Sequence, residues 1–220
     1  MTRLYFVRHG KTQWNIEGRF QGNQGDSPLL PETLEDLKVL GQHLSDISFD
    51  HIFSSDLPRA AKTAQAILDK QDPKPPLTLT EDLREWKLGK LEGTKVRLMK
   101  DLYPKQHHAY RNNLSRFKAD LFEAESVYEA TSRWTDFVKS QKDLLAENLL
   151  FVSHGAISTA SIRTLLGFDP SELRKAGGLY NSSVTILETD DFESFQLITW
   201  NDVSFLPNNQ EIIIPGVGKK

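Results

Sequence analysis

The chain has 220 residues, 38% of them hydrophobic and 26% charged, with a formal net charge of -3 and no cysteine. That length suits one domain with a sizeable buried core, and the charge offers no global basic field for nucleic acid or an anionic membrane surface. The missing cysteines exclude disulfides, thiolate metal sites and a thiol nucleophile. No apolar run approaches the roughly 18 residues of a membrane-spanning helix, and the first such run, Leu4-Tyr5-Phe6-Val7, is short and leads straight into Arg8, unlike a secretory signal. A cytoplasmic protein is expected.

Taken in order, Leu4-Tyr5-Phe6-Val7 followed by Arg8-His9-Gly10 predicts a buried strand that stops at a tight turn. Arg8 and His9 then stand at its carboxyl end, where open α/β sheets bind ligands. Leu149-Leu150-Phe151-Val152-Ser153-His154-Gly155 repeats the pattern. Two histidines at the ends of two buried strands are therefore expected to meet at one sheet edge and share a phosphate. Gly10-Lys11-Thr12 invites comparison with the end of a nucleotide-binding P-loop, but that loop needs a glycine where Tyr5 stands. Without it the backbone amides cannot wrap a phosphate.

Residues 15–31 are rich in Gly, Asn, Gln, Asp and Pro and read as a long loop over the site. Leu34, Leu37, Leu40 and Leu44 follow Pro31 at helical spacing, with His43 on the helix surface. His51-Ile52-Phe53-Ser54-Ser55 is the next strand. It leads to a helix started by Pro58, with Ser55 or Asp56 as cap and Leu57, Ala60, Ala61, Ala64, Ile67 and Leu68 as the buried stripe. Arg59 lies in its first turn, where an arginine is a poor partner for the helix dipole and, taken alone, reads as a solvated charge. Pro73, Pro75 and Pro76 break the chain before a short strand at Leu77-Thr78-Leu79, and Glu85 and Glu92 follow as acidic loop residues.

Residues 94–126 are helical and irregular, with Lys105, His107, His108, Arg111, Arg116 and Lys118 as a local cationic cluster that composition alone makes a solvated face. His107 and His108 are adjacent, point different ways on a helix and do not suit a metal. Ser126-Val127-Tyr128-Glu129 has capping-box spacing and opens a helix whose Val127, Ala130, Trp134, Phe137, Val138 and Leu145 face the core. A helix over 156–166, ended by Gly167, follows the second His-Gly strand, and 181–187 and 195–200 are β-rich and close enough to pair. Ile212-Ile213-Ile214-Pro215 and Lys219-Lys220 form a tail that covers the sheet or packs on a partner. The alternation predicts an α/β fold: a three-layer α/β/α sandwich with a mostly parallel central sheet, one later antiparallel strand and a helical cap insert at about 94–126. No repeat or linker divides the chain, so one domain over 1–220 is expected.

Arg8-His9-Gly10 with Thr12 and Asn15 resembles the opening signature of the histidine phosphatase superfamily, which includes cofactor-dependent phosphoglycerate mutases and many small-molecule phosphatases. Further segments resemble the family at matching intervals. Ser54-Ser55-Asp56-Leu57 with Arg59-Ala60, Thr63 and Ala64 is similar to its second phosphate-binding segment, which implies that the Arg59 guanidinium fork holds a phosphoryl group. Arg84-Glu85, Gly89 and Glu92-Gly93 imply Glu85 as proton carrier and Glu92 as a loop-fixing residue. Gly18-Arg19-Phe20-Gln21-Gly22 and Asp26-Ser27-Pro28-Leu29 resemble the substrate-side loop, with Gln21 near the phosphate. Residues 94–126 correspond to the variable cap, whose cations could bind a second anionic group, and Glu125 to a residue that orients the site.

The resemblance implies a phosphatase of small phosphorylated metabolites. His9 would be the nucleophile. Arg8, Asn15, Arg59 and His154 would hold the phosphate oxygens, with Gln21, Gly22, Gly155 and Ala156 around them. No cofactor and no metal are expected, the charge coming from side chains; neither nucleic acid nor membrane is a partner, and a homodimer is compatible with the chain. The alternatives are a phosphoglycerate mutase, weakened because Arg111 and Arg116 stand singly where mutases carry an Arg-Arg pair, and a non-catalytic phospho-ligand binder. Two departures bear on the substrate: three residues, Asn23, Gln24 and Gly25, separate Gly22 from Asp26 where two are usual, and Thr33 replaces a common glycine; in a late segment that Asn201-Asp202 makes similar to the family, Phe205 stands where histidine is frequent.

Overall fold

The structure, a computed structural model, describes residues 1–207; the apolar tail stretch at 212–215 and the terminal lysine pair lie outside the described residues. The apolar runs become strands β1 (Thr2–Arg8), β2 (His51–Ser55), β3 (Leu77–Thr80), β4 (Asn148–Ser153), β5 (Val184–Thr189) and β6 (Gln196–Asp202). They form one sheet in the order β3-β2-β4-β1-β5-β6. β1 to β4 pair in parallel, β5 runs antiparallel to β1, and β6 antiparallel to β5, so β5 is the one reversed strand among the described residues.

Alternation along the strands splits the core in two. Tyr5, Val7, Ile52, Leu150 and Val152 face α2 (Thr33–His43) and α3 (Pro58–Leu68). Leu4, Phe6, Phe53, Leu149 and Phe151 face α6 (Val127–Lys139) and α7 (Gly155–Leu165), through Trp134, Val138, Ile157 and Ala160. Both faces of the sheet are thus covered, as a mostly parallel sheet requires. The short α1 (Gln13–Glu17) precedes these helices, and α4 (Val96–Leu102), α5 (Pro104–Asn112) and short 3-10 turns fill the region expected to form the cap. That region holds to the body by aromatic contacts of Tyr110 with Phe20 at 5.7 Å and Trp86 at 6.1 Å. No helix among the described residues is long and apolar enough to cross a membrane.

Local differences from the sequence-based expectations have local causes. The loop after His9 begins as α1, because Asn15 Oδ1 accepts from the Thr12 amide at 3.1 Å and Gly18, at φ 63°, ends the turn. Leu34 is exposed, leaving Leu37, Leu40 and Leu44 as the stripe of α2. The N-cap of α3 is Leu57, and Ser55 Oγ accepts from the Leu57 amide at 3.3 Å. Leu145 lies beyond α6 at φ 50° and is exposed rather than in the core. The Ser126–Glu129 capping box forms as expected.

Phe6, Phe151 and Phe53 stack across three adjacent strands with centroids 5.3 Å apart at both steps. Phe151 is fully buried between the other two. Phe151→Ala is expected to cost roughly 3–5 kcal/mol in urea unfolding; a loss under about 1 kcal/mol would mean that this stack does not hold the central strands.

Candidate active site

β1 and β4 end at the same level: Arg8 pairs with Ser153 in register and the His9 amide donates to Ser153 O at 2.9 Å. The two His-Gly turns leave the sheet side by side, and the imidazoles of His9 and His154 stand 5.1 Å apart between centroids. Gly10 O, 2.7 Å from His9 Nδ1, can only accept, so Nδ1 carries the hydrogen and Nε2 keeps its lone pair. Burial, then the Arg59 and Arg8 charges, push His9 well below the usual 6.5. His9 is a neutral imidazole with one nitrogen pinned and the other unprotonated.

His154 has the opposite tautomer. Arg59 Nε can only donate, and it reaches His154 Nδ1 at 3.2 Å, so Nε2 carries the hydrogen and donates to Ser55 Oγ at 2.8 Å. Burial and the Arg59 charge hold this ring neutral as well. Arg59 itself is buried, not solvated, and most of its fork holds the loop: Nη1 donates to Gly25 O at 2.7 Å and Asp26 Oδ1 at 2.9 Å, and Nη2 to Gly22 O at 3.0 Å. Glu92 secures the same loop, accepting from the Gly22 amide at 2.9 Å and the Leu88 amide at 3.2 Å.

Glu85 sits at the start of α7. Oε1 accepts from the amides of Trp86 and Ile157 and Oε2 from the amide of Ala156, each at 2.8 Å. The Ala156 amide is therefore bonded to Glu85. A carboxylate offers about four acceptor positions, and three are filled, one remaining on Oε2. The loop bearing Glu85 is held from outside: Glu125 accepts from the Lys87 amide at 2.8 Å and forms a two-point ion pair with Arg133 at 3.1 Å, while Arg133 Nη1 donates to Asp82 O at 2.6 Å and Arg84 O at 3.2 Å.

A cavity of about 1030 Å³ opens over the strand ends. Arg8, His9, Asn15, Gln21, Glu85, Gly155 and Ala156 line it, whereas Arg59, His154 and Gly22 lie behind its wall. Arg8 Nη1 donates to Leu179 O at 2.5 Å. Burial lowers this guanidinium to about 10, with Glu85 opposing the fall, so it stays charged at neutral pH. A Cβ on Gly155 would come within 2.9 Å of Arg8 Cζ, so a larger residue there would displace the guanidinium. Gln21 Oε1 faces Thr12 Oγ1 at 2.8 Å while its Nε2 is buried without a partner, and Asn15 Oδ1 takes Thr12 and Asn181.

Of the cationic cluster at 105–118, Arg111 alone reaches the cavity. Sequence reasoning missed Asn181, whose Nδ2 donates to His9 O at 2.9 Å, and Arg174, which also lines the cavity. Nothing in their local sequence marks either; Asn181 opens the β-rich stretch at 181–187 and reads there as a strand residue. Among the described residues no cluster of His, Asp and Glu is arranged to hold a metal.

A sequence profile of the histidine phosphatase superfamily (branch 1) matches residues 4–203. The chain belongs to that superfamily. Its enzyme class is accordingly that of the phosphoric monoester hydrolases of the histidine phosphatase type. It is 30% identical over 213 residues to the probable phosphoglycerate mutase GpmB of Salmonella paratyphi A, covering 94% of this chain and 95% of that one. It is also similar to the solved structure of Bacillus stearothermophilus YhfR, with a TM-score of 0.84, 29% identity, and 93% and 99% of the two chains covered. A mycobacterial glucosyl-3-phosphoglycerate phosphatase, solved with VO3, superposes with a TM-score of 0.82 at 25% identity over 91% of this chain and 99% of its own.

Two pH effects follow from the histidines. Because His9 is held neutral well below 6.5, the acid limb of a kcat/KM profile that reports it should fall below pH 6.5; a limb at or above that value would contradict the assignment. In stability the sign is set by the unfolded chain, which takes up protons near pH 6.5 before the native state does. Melting temperature should show no loss from these groups above about pH 6.5 and should decline below it.

Proposed function

We propose that the protein is a metal-independent, cytoplasmic phosphatase that hydrolyses phosphomonoesters of small metabolites through a phosphohistidine on His9. The observation carrying this reading is the unprotonated Nε2 of His9 at the cavity wall, its other nitrogen fixed on Gly10 O. Nε2 attacks phosphorus as the ester P–O bond breaks, and Glu85, which enters this step protonated at its remaining Oε2 position, gives that proton to the leaving oxygen and is left as the carboxylate. Water then attacks the phosphohistidine and returns a proton to Glu85. The P–N bond breaks, releasing phosphate and the neutral imidazole.

Charge on the transferring group is met by Arg8 and the side-chain amides of Asn15 and Gln21, with Arg59 adding positive charge from behind the wall; His154, neutral and with both ring nitrogens engaged by Arg59 and Ser55, positions Arg59. Such preorganised donors are worth roughly 2.7–4 kcal/mol each in the barrier. The mutase reading is the alternative, favoured by the name of the GpmB relatives. It requires the phosphohistidine to be attacked by a hydroxyl of a bound phosphoglycerate instead of water.

The test is turnover of p-nitrophenyl phosphate in EDTA by the wild type and by His9→Ala, with trapping of labelled phosphoenzyme. Wild-type turnover in EDTA, an acid-labile label on His9, and a loss of about a thousandfold or more in His9→Ala are expected. A strict metal requirement, or full activity in His9→Ala, would overturn the mechanism. Conversion of 3-phosphoglycerate to 2-phosphoglycerate with 2,3-bisphosphoglycerate present, faster than phosphate release, would replace hydrolysis by mutase activity.

A further inference from the structure

Successive backbone carbonyls ahead of Glu85 are held through two neighbouring residues of α6. Arg133 Nη1 donates to Asp82 O at 2.6 Å and to Arg84 O at 3.2 Å. Trp134, the next residue, donates from Nε1 to Ser153 Oγ at 3.2 Å, and that hydroxyl donates to Leu83 O, the carbonyl between, at 2.7 Å. The hold continues past Glu85. Glu125 Oε2 accepts from the Lys87 amide at 2.8 Å, the Glu125 amide donates to Lys87 O at 2.9 Å, and Trp86 Nε1 donates to Glu125 O at 2.8 Å.

Arg133 joins the two halves. Its Nε and Nη2 reach the two carboxylate oxygens of Glu125 at 3.1 Å while Nη1 serves the carbonyls. Only a planar fork with several fixed donors can face both ways at once; a lysine ammonium is a single point charge. The Arg133 side chain is 22% exposed and that of Glu125 18%, so the pair is sheltered from the screening that makes surface ion pairs weak. Neither residue lines the cavity, so neither touches the substrate. What the guanidinium spans is the stretch that carries Glu85, and a proton donor misplaced by about 1 Å can lose a hundredfold in rate.

Resting on the phosphatase reading above, in which Glu85 carries the proton, we infer that Arg133 is a positioning residue for proton delivery. By tying Asp82 O and Arg84 O on one side of Glu85 to the anchor of Lys87 on the other, it fixes the backbone from which the carboxyl reaches the leaving oxygen. Without it the Glu125 carboxylate and the two carbonyls lose a shared partner, and the segment is held from the Ser153 side and by Glu125 alone.

The test compares benzyl phosphate, whose alkoxide needs a proton as it leaves, with p-nitrophenyl phosphate, whose leaving group departs as a stable anion. Both kcat/KM values are read on one sample of each protein, so a loss of folded enzyme scales both alike and cancels in their ratio. General acid catalysis contributes roughly a hundredfold to ten-thousandfold, so Arg133→Met should lose about tenfold or more on benzyl phosphate and about threefold or less on p-nitrophenyl phosphate. Arg133→Lys should recover part of the benzyl activity. In Glu85→Gln the benzyl-to-nitrophenyl ratio should fall furthest, and adding Arg133→Met should not lower it again, because the arginine acts through that carboxyl. An unchanged ratio in Arg133→Met, or a further fall in the double variant, would overturn the inference. A wild type that turns over p-nitrophenyl phosphate alone, or a ratio unmoved by Glu85→Gln, would remove the Glu85 assignment and the inference with it. No turnover of either ester by the wild type would instead defeat the phosphatase reading on which both rest.

Discussion

The in-register pairing of β1 with β4 is the constraint from which the site follows. Residue opposes residue from Arg3 and Asn148 to Arg8 and Ser153, so two apolar runs far apart in sequence end at one height. A slip of one position would turn alternate residues to the other face and take His9 and His154 apart. The pleat itself guards against this, because Phe6 and Phe151 must meet on the α6–α7 face while Val7 and Val152 meet on the α2–α3 face. The glycine after each histidine belongs to the same constraint. A Cβ on Gly10 would stand 2.4 Å from Thr33 Cγ2, and one on Gly155 would meet Arg8. A side chain at either point would have to push Thr33 or Arg8 from its place.

Around that pair the protein, net negative as a whole, concentrates positive charge. Arg8 and Arg59 are withdrawn from water and the imidazoles beside them are kept uncharged, so the field is supplied by guanidiniums while the nucleophile remains nucleophilic. Each arginine is also structural. Arg59 holds three groups of the 22–26 loop and one histidine, and Arg8 ties the end of β1 to Leu179 O. Substituting either would change position and charge together. Glu85 has a comparable double attachment, orienting its carboxyl by the first amides of α7 while facing the cavity.

The sheet and its flanking helices were legible because their signals are periodic and local. Strands β2 and β4 need nothing beyond a short apolar run, and the capping box of α6 nothing beyond a Ser-x-x-Glu spacing. The two His-Gly turns were legible as a pair because each ends an apolar run. What could not be read depends on contacts between distant segments. Arg59 looks like a solvated charge until Gly22, Gly25 and Asp26 are brought to it, and Leu34 and Leu145 fit a helical stripe until the sheet leaves them uncovered. Arg174 and Tyr110 belong to no common motif; their contact exists only because the segment after α7 passes beneath α5 residues at the cavity.

The departures from the family pattern are absorbed away from the reacting atoms. The loop with the additional residue between Gly22 and Asp26 is held by several anchors: Glu92 on the Gly22 amide, Trp86 O on the Asn23 amide at 3.1 Å, and Arg59 on Gly22 O and Gly25 O. Gly25 accommodates the tighter path, since a Cβ there would lie 2.7 Å from the Trp14 ring. Thr33, in place of glycine, donates to Lys11 O at 2.9 Å and so supports the turn after His9. Phe205 stacks on His43 at 4.2 Å with ring planes 9° apart, outside the cavity lining, so the aromatic replacement serves packing. Fixed anchors at the phosphate end and altered side chains elsewhere allow one reaction centre to be retained while the shape and charge of the distal cavity change.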